Sequence, residues 1–177
     1  PATASIERVA AEVGGRLWFQ LYVGRDREFR EKLVSRAKSA GYEALLLTVD
    51  LAVSGKRERD PRNGFHTPYS PSWRNSRDVI FKPAWLLEIM RHGLPGMANL
   101  EGYRFSTPKG TDIVTAVGRE MDAALDWDYV KRLRELWPGK LLLKGVERPD
   151  DAERAAAVGC DGLVVSNHGG RQLDGAA

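Results

Sequence analysis

The stretch KLLLKGVERPDDAERAAAVGCDGLVVS, residues 140–166, decides the fold. Lys140 to Leu143 is a short strand, apolar on both faces as a buried parallel strand is. Pro149 to Val158 has proline at a helix start, acids in its first turn and Gly159 at its end, the asymmetry of an α-helix. Asp161 to Ser166 is another strand. The same alternation occurs earlier in the chain. Arg16 to Val23 (RLWFQLYV) is rich in strand formers and follows Gly14 and Gly15. Asp26 to Ala40 places Phe29, Leu33, Ala37 and Ala40 at three- and four-residue spacing, with Asp26 as N-cap and Gly41 as the stop. Ala44 to Val49 (ALLLTV) is again apolar on both faces. Trp127 to Trp137 is helical by its stripe of Val130, Leu133, Leu136 and Trp137, and is stopped by Pro138 and Gly139. Strands alternating with helices imply an α/β fold with a parallel sheet and right-handed crossovers, which permits a doubly wound sheet or a (β/α)8 barrel.

The 177 residues are 42% hydrophobic and 29% charged, with a mean hydropathy of −0.39, the profile of an ordinary globular domain. The longest apolar runs fall far short of the ~20 residues of a bilayer-spanning helix. The first residues lack a basic start followed by an apolar stretch, so a cytoplasmic chain without a signal peptide is expected. The single cysteine, Cys160, excludes an internal disulfide and reads as a packing residue, as does Met121. His66, His92 and His168 are too widely spaced for a local zinc motif, so no metal is expected. The net charge of +3 is uneven: between Ser54 and Lys82, seven basic residues accompany three acidic ones. That segment belongs to a long basic excursion over residues 51–82, punctuated by Pro61, Pro68 and Pro71, and loops of such length normally serve a function. Pro83 to Met90 and Thr111 to Ala124 read as helices, with Gly102 to Gly110 irregular between them.

The strand ends carry the chemistry. The first strand delivers Gln20 and Tyr22, which share a face by strand periodicity. The second ends in Thr48 and Asp50, the third in Lys144, and the fourth in Ser166, Asn167 and His168, with Arg171 shortly after. Apolar strands that each finish in a polar or ionisable residue suit an α/β protein with its site at the carboxyl edge of a parallel sheet.

SNHGGRQLD at Ser166 to Asp174, taken with LLLKG at Leu141 to Gly145, FQLY at Phe19 to Tyr22 and LTVDLAVSGKRERD at Leu47 to Asp60, resembles the FMN-dependent α-hydroxy-acid dehydrogenase and oxidase family. RHGLPGMANLEGY at Arg91 to Tyr103 leans towards its mandelate and lactate dehydrogenase branch. The resemblance implies a TIM barrel with FMN at its carboxyl end. Gln20 and Thr48 would bond the isoalloxazine edge, Lys144 would sit by the ring, and Ser166 would touch the flavin or its ribityl chain. Arg57 and Arg171 would hold the carboxylate of a small 2-hydroxy acid, with Tyr22 on its carboxylate or hydroxyl. His168 would be the base that removes a proton as a hydride or an electron pair passes to flavin N5. The electron acceptor would be a quinone, a cytochrome or O2, and the full-length protein would be a homo-oligomer. The resemblance also implies peripheral membrane attachment on the cytoplasmic face through residues 51–85, where Phe65, Tyr69, Trp73, Phe81 and Trp85 interleave with basic residues. A lid or an oligomer contact is the competing use of that segment. Nucleic-acid binding would leave the strand-end chemistry unexplained, so no nucleic-acid partner is expected.

Singly, these residues are weak signals, since strand-end lysines and turn histidines are common; it is their order and spacing that reverse the odds. Two other readings compete: a different (β/α) barrel, such as a phosphate-binding isomerase using Lys144 and His168 in proton transfer, and a non-catalytic fragment. A (β/α)8 barrel takes ~250 residues, and four strands cannot close one. Residues 1–177 are therefore expected to be the central part of a TIM barrel. The FMN-phosphate residues and the carboxylate that orients His168 are expected beyond Ala177.

Overall fold

A computed structural model describes residues 3–51, 55, 58, 62, 81–93, 96–106 and 113–172. Arg57 and most of the 51–82 excursion lie outside the described residues. The elements in chain order are α1 (Ile6–Glu12), β1 (Trp18–Tyr22), α2 (Arg27–Ser39), β2 (Ala44–Thr48), α3 (Pro83–His92), α4 (Ile113–Arg119), α5 (Trp127–Leu136), β3 (Lys140–Lys144), α6 (Pro149–Val158) and β4 (Gly162–Val164). Single 3-10 turns occur at Ala98–Leu100 and His168–Gly170.

All four strands are parallel and lie in the order β1-β2-β3-β4. The helix ends follow from their residues. Asp26 caps α2 by accepting from the Phe29 N–H at 3.0 Å, and Asp126 caps α5 by accepting from the Tyr129 N–H at 2.9 Å, each satisfying an otherwise unpaired donor of the first turn. Gly159 ends α6 in the left-handed region at φ 87°, which a residue with a Cβ enters at a cost.

Strand periodicity divides the sheet into two faces. Leu21, Leu45, Leu47, Leu141 and Leu143 are 0–1% exposed and form one core with Val34 and Ala37 of α2, Val130 and Leu133 of α5, Trp137, and Ala155 of α6. Each buried leucine contributes about 1.5–3 kcal/mol of transfer free energy. Gln20, Tyr22, Leu46, Thr48, Leu142 and Lys144 belong to the opposite face. Helices gathered on one face are the arrangement of a barrel wall, whereas a doubly wound sheet is covered on both. Among the described residues no further strand pairs with the outer edge of β1 or of β4.

Three local expectations are refined. The core-facing side of α2 is wider than the expected stripe: Ala37 is buried and Leu33 and Ala40 pack half-buried against the core, while Arg30 and Val34 are buried beside them. Arg30 is accommodated because it donates to Asp122 at 3.2 Å and lies 4.5 Å over the Tyr129 ring. Leu136 is 37% exposed and lies off the core. The helix expected over Thr111 to Ala124 is shorter, since after Arg119 tertiary bonds replace helical ones: Arg25 N–H donates to the Glu120 carbonyl at 2.7 Å and Asp122 N–H to that of Val23 at 2.8 Å.

Candidate active site

The register aligns Tyr22 with Thr48, Thr48 with Lys144, and Lys144 with Val164 across the carboxyl ends of the strands. Side chains at aligned positions share a face, which is why residues distant in sequence meet here. The Gln20 amide donates to Thr48 Oγ1 at 2.7 Å and reaches Tyr22 Oη at 3.4 Å. Beside this pair, Lys144 Nζ donates to Asp50 Oδ2 at 2.9 Å and to Ser166 Oγ at 3.2 Å. His168 Nδ1 lies 2.9 Å from Asp50 Oδ1. The Asp50, His168 and Lys144 side chains are 8%, 18% and 19% exposed.

His168 Nδ1 also lies 3.2 Å from Lys144 Nζ, so this ring nitrogen faces a carboxylate oxygen and an ammonium at once. A lysine ammonium only donates, and Lys144 already has Asp50 Oδ2 and Ser166 Oγ as acceptors, which leaves Asp50 Oδ1 to the ring. With Nδ1–H donating to Asp50 Oδ1, the Nε2 lone pair is free to take a proton. A proton gained at Nε2 is stabilised by the carboxylate behind the ring. Two backbone features hold this arrangement. Gly145, at φ +103°, has no room for a Cβ, which would stand 2.6 Å from Asp50 Cγ. His168 is in the left-handed region at φ 59°, held by its own N–H donating to Ser166 Oγ at 3.0 Å and by the Gly170 N–H donating to Asn167 Oδ1 at 3.2 Å.

Gln20, Tyr22, Thr48, Lys144, Ser166 and His168 are thus brought together at one edge. Arg171 follows on the same turn, exposed, and Arg57 lies outside the described residues. Asp50 corrects the expectation that the carboxylate orienting His168 lies beyond Ala177. Its signal was present in the sequence: it follows Thr48 by two residues on the strand beside Lys144. A second polar cluster had no such signal. The Glu120 carboxylate accepts from the Ser106 hydroxyl and from the Ser106 N–H at 2.8 Å, and from Tyr103 Oη at 3.0 Å. The Ser106 bonds hold the Glu120 carboxyl below the usual carboxylate range, while burial and the adjacent carboxylate push the Tyr103 phenol up to about 12. Glu120 also meets the turn after β1, where its carbonyl accepts from the Arg25 N–H at 2.7 Å.

A single-faced parallel sheet with an acid–base cluster at its carboxyl edge places the chain among α/β-barrel proteins that carry their site there. The sequence profile of the FMN-dependent dehydrogenases matches residues 1–177. The chain is 45% identical over 170 residues to (S)-mandelate dehydrogenase from Pseudomonas putida, covering 96% of this chain and 42% of that protein. It is 39% identical over 171 residues to L-lactate dehydrogenase from Chromohalobacter salexigens, covering 96% and 43%. The solved structure of the monotopic membrane protein (S)-mandelate dehydrogenase superposes with a TM-score of 0.84 at 44% identity, over 98% of this chain and 46% of that one. The chain belongs to the FMN-dependent dehydrogenase family, whose cofactor is FMN, and it forms part of a TIM barrel. It spans less than half the length of these relatives.

The residues present fit an FMN ring. The Gln20 amide, the Thr48 hydroxyl and the Lys144 ammonium stand on adjacent strand ends, a mixed donor and acceptor set suited to the alternating carbonyl and N–H groups of an isoalloxazine edge.

Proposed function

We propose that residues 1–177 supply the central part of an FMN-dependent (β/α)8-barrel enzyme that oxidises an (S)-2-hydroxy acid, mandelate- or lactate-like, to the 2-oxo acid. Residues 51–82 form its loop excursion. The observation that carries this reading is the Asp50–His168–Lys144 cluster beside Gln20 and Thr48, in a chain of this family.

Gln20, Thr48, Lys144 and Ser166 would hold the cofactor. FMN, when bound, supplies the acceptor for the two electrons that leave the substrate α-carbon. His168 Nε2 takes a proton from the hydroxy acid, and Asp50 stabilises the imidazolium that results. The Lys144 ammonium favours negative charge on the adjacent ring. Arg171 and Arg57 bind the substrate carboxylate through their planar forks, and Tyr22 donates its hydroxyl to the same substrate. Electrons then pass to a quinone, a cytochrome or O2. The test is reduction of a dye by the full-length flavin-loaded protein given (S)-mandelate or (S)-lactate, with hydrogen peroxide measured in air. Turnover of neither acid would refute the reading, and peroxide yield separates oxidase from dehydrogenase.

Peripheral attachment to a membrane has its own support. α3 has no buried residue, and in it and just before it Phe81, Trp85, Leu87 and Met90 are 74%, 44%, 46% and 67% exposed, large apolar groups available to an apolar surface. Among the described residues no helix is long and apolar enough to cross a membrane. Co-sedimentation of the full-length protein with anionic vesicles, lost on Trp85→Ser with Met90→Ser, would support it; retention would count against it.

A further inference from the structure

His168, Gly169 and Gly170 lie in the left-handed region one after another, at φ 59°, 66° and 65°. Among the described residues His168 is the one non-glycine residue at positive φ, where a Cβ crowds the following carbonyl and where L-residues enter singly and not in runs. The two glycines serve conformation and not space, because a Cβ at either would meet no atom within 4 Å. Such a run needs an outside hold. The Gly170 N–H is shared between the Asn167 carbonyl at 3.1 Å and the Asn167 side-chain Oδ1 at 3.2 Å. One amide side chain therefore spans from the residue before the histidine to the second residue after it. From inside that span the His168 ring reaches Asp50 at 2.9 Å, across 118 positions of sequence.

We infer that Asn167 is a positioning residue for the base: its side-chain acceptor holds the left-handed turn over residues 168–170, and that turn sets the His168 ring on Asp50 with Nε2 free. This rests on the proposed reading of His168 as the base. Backbone conformation fixes the direction in which a side chain leaves the chain, so a right-handed φ at His168 would carry its ring off the carboxylate. The ring would then lose the partner that selects its tautomer. Gln20, Thr48 and Lys144 stand on β1, β2 and β3 and not on this turn. Loss of the Asn167 acceptor therefore falls on the proton-transfer step and spares flavin binding.

The variants are Asn167→Ala, which removes the acceptor, and Asn167→Asp, which keeps one, in the full-length flavin-loaded enzyme. With Asn167→Ala, kcat for (S)-mandelate or (S)-lactate, whichever is turned over, falls about five- to tenfold, the effect of one lost hydrogen bond, while flavin content is unchanged. ¹⁵N NMR then shows the neutral His168 ring divided between its two tautomers, where the wild type has one. Asn167→Asp restores the single tautomer and brings kcat back to within about threefold of wild type. Gly169→Ala, whose added methyl meets no atom and acts only by disfavouring positive φ, gives the same two effects as Asn167→Ala. It also carries the test if Asn167→Ala does not accumulate as holoenzyme. A wild-type tautomer in both alanine variants, whether or not kcat falls, overturns the inference, as does an Asn167→Asp enzyme as impaired as Asn167→Ala. A wild-type holoenzyme that oxidises no 2-hydroxy acid refutes the underlying function, which is a different failure, and the ring spectra still decide whether Asn167 holds the histidine.

Discussion

Strand β3 has a lysine at each end, and each lysine pairs with an aspartate, yet the two pairs do different work. At the amino end Lys140 Nζ donates to Asp161 Oδ1 at 2.8 Å, and Asp161 Oδ2 accepts from the Leu141 N–H at 2.9 Å and Arg134 Nη1 at 3.0 Å. Arg134 also donates to the carbonyls of Trp137 and Gly139. Each of these groups ends on the backbone or on another charge, so the cluster ties strand starts to helix ends. At the carboxyl end Lys144 and Asp50 are far less exposed, 19% and 8% against 71% and 27%, and the third partner is a histidine whose Nε2 is left free. A site differs from a clamp in what it leaves unsatisfied. This matches the division of labour in α/β barrels, with stability at one face of the sheet and chemistry at the other.

Substitutions at the two ends should separate these roles. The largest effect is expected from His168→Gln, which keeps hydrogen-bonding capacity but removes the base: kcat of the full-length enzyme falls about 10²–10⁴-fold with flavin content unchanged. Retained turnover would erase the contrast. Asp50→Asn follows, because an amide no longer enforces the Nδ1–H tautomer or offsets the imidazolium charge. A fall in kcat on the order of 10²-fold is expected in steady-state assays.

Asp161→Asn should do the reverse, leaving kcat within about twofold and costing about 1–3 kcal/mol in urea unfolding. Its pH dependence sharpens the point. The Lys140 ammonium and the Leu141 N–H hold the Asp161 carboxyl at about 2, below its unfolded value of roughly 3.9. A depressed folded value means that stability is present above roughly pH 4 and is lost as pH falls towards about 2. Unfolding of the wild type should steepen across that window relative to Asp161→Asn, which has no carboxyl to titrate there.

Much of this was legible in the sequence because strands report their faces at period two. Gln20, Tyr22, Thr48 and Lys144 could be placed on one edge from order and spacing alone. The choice between barrel and doubly wound sheet could not, since ALLLTV is apolar on both faces whether the second face meets helices or a barrel interior; the clustering of α2, α5 and α6 on one face resolves it. Asp50 was visible as a strand-end polar residue, but its partnership with His168 spans 118 positions and depends on a turn in which a histidine adopts positive φ. The Glu120, Ser106 and Tyr103 cluster was illegible for a different reason: its members come from irregular chain and a helix end, where no periodicity assigns a face.

Proton removal by His168 requires Asp50 to hold the ring with Nε2 free, and ¹⁵N NMR of the histidine ring in the full-length protein measures that directly. The neutral ring of His168 should carry its proton on Nδ1, with the tautomer becoming mixed in Asp50→Asn. A neutral ring protonated on Nε2 in the wild type would contradict the account, because no lone pair would then face the substrate.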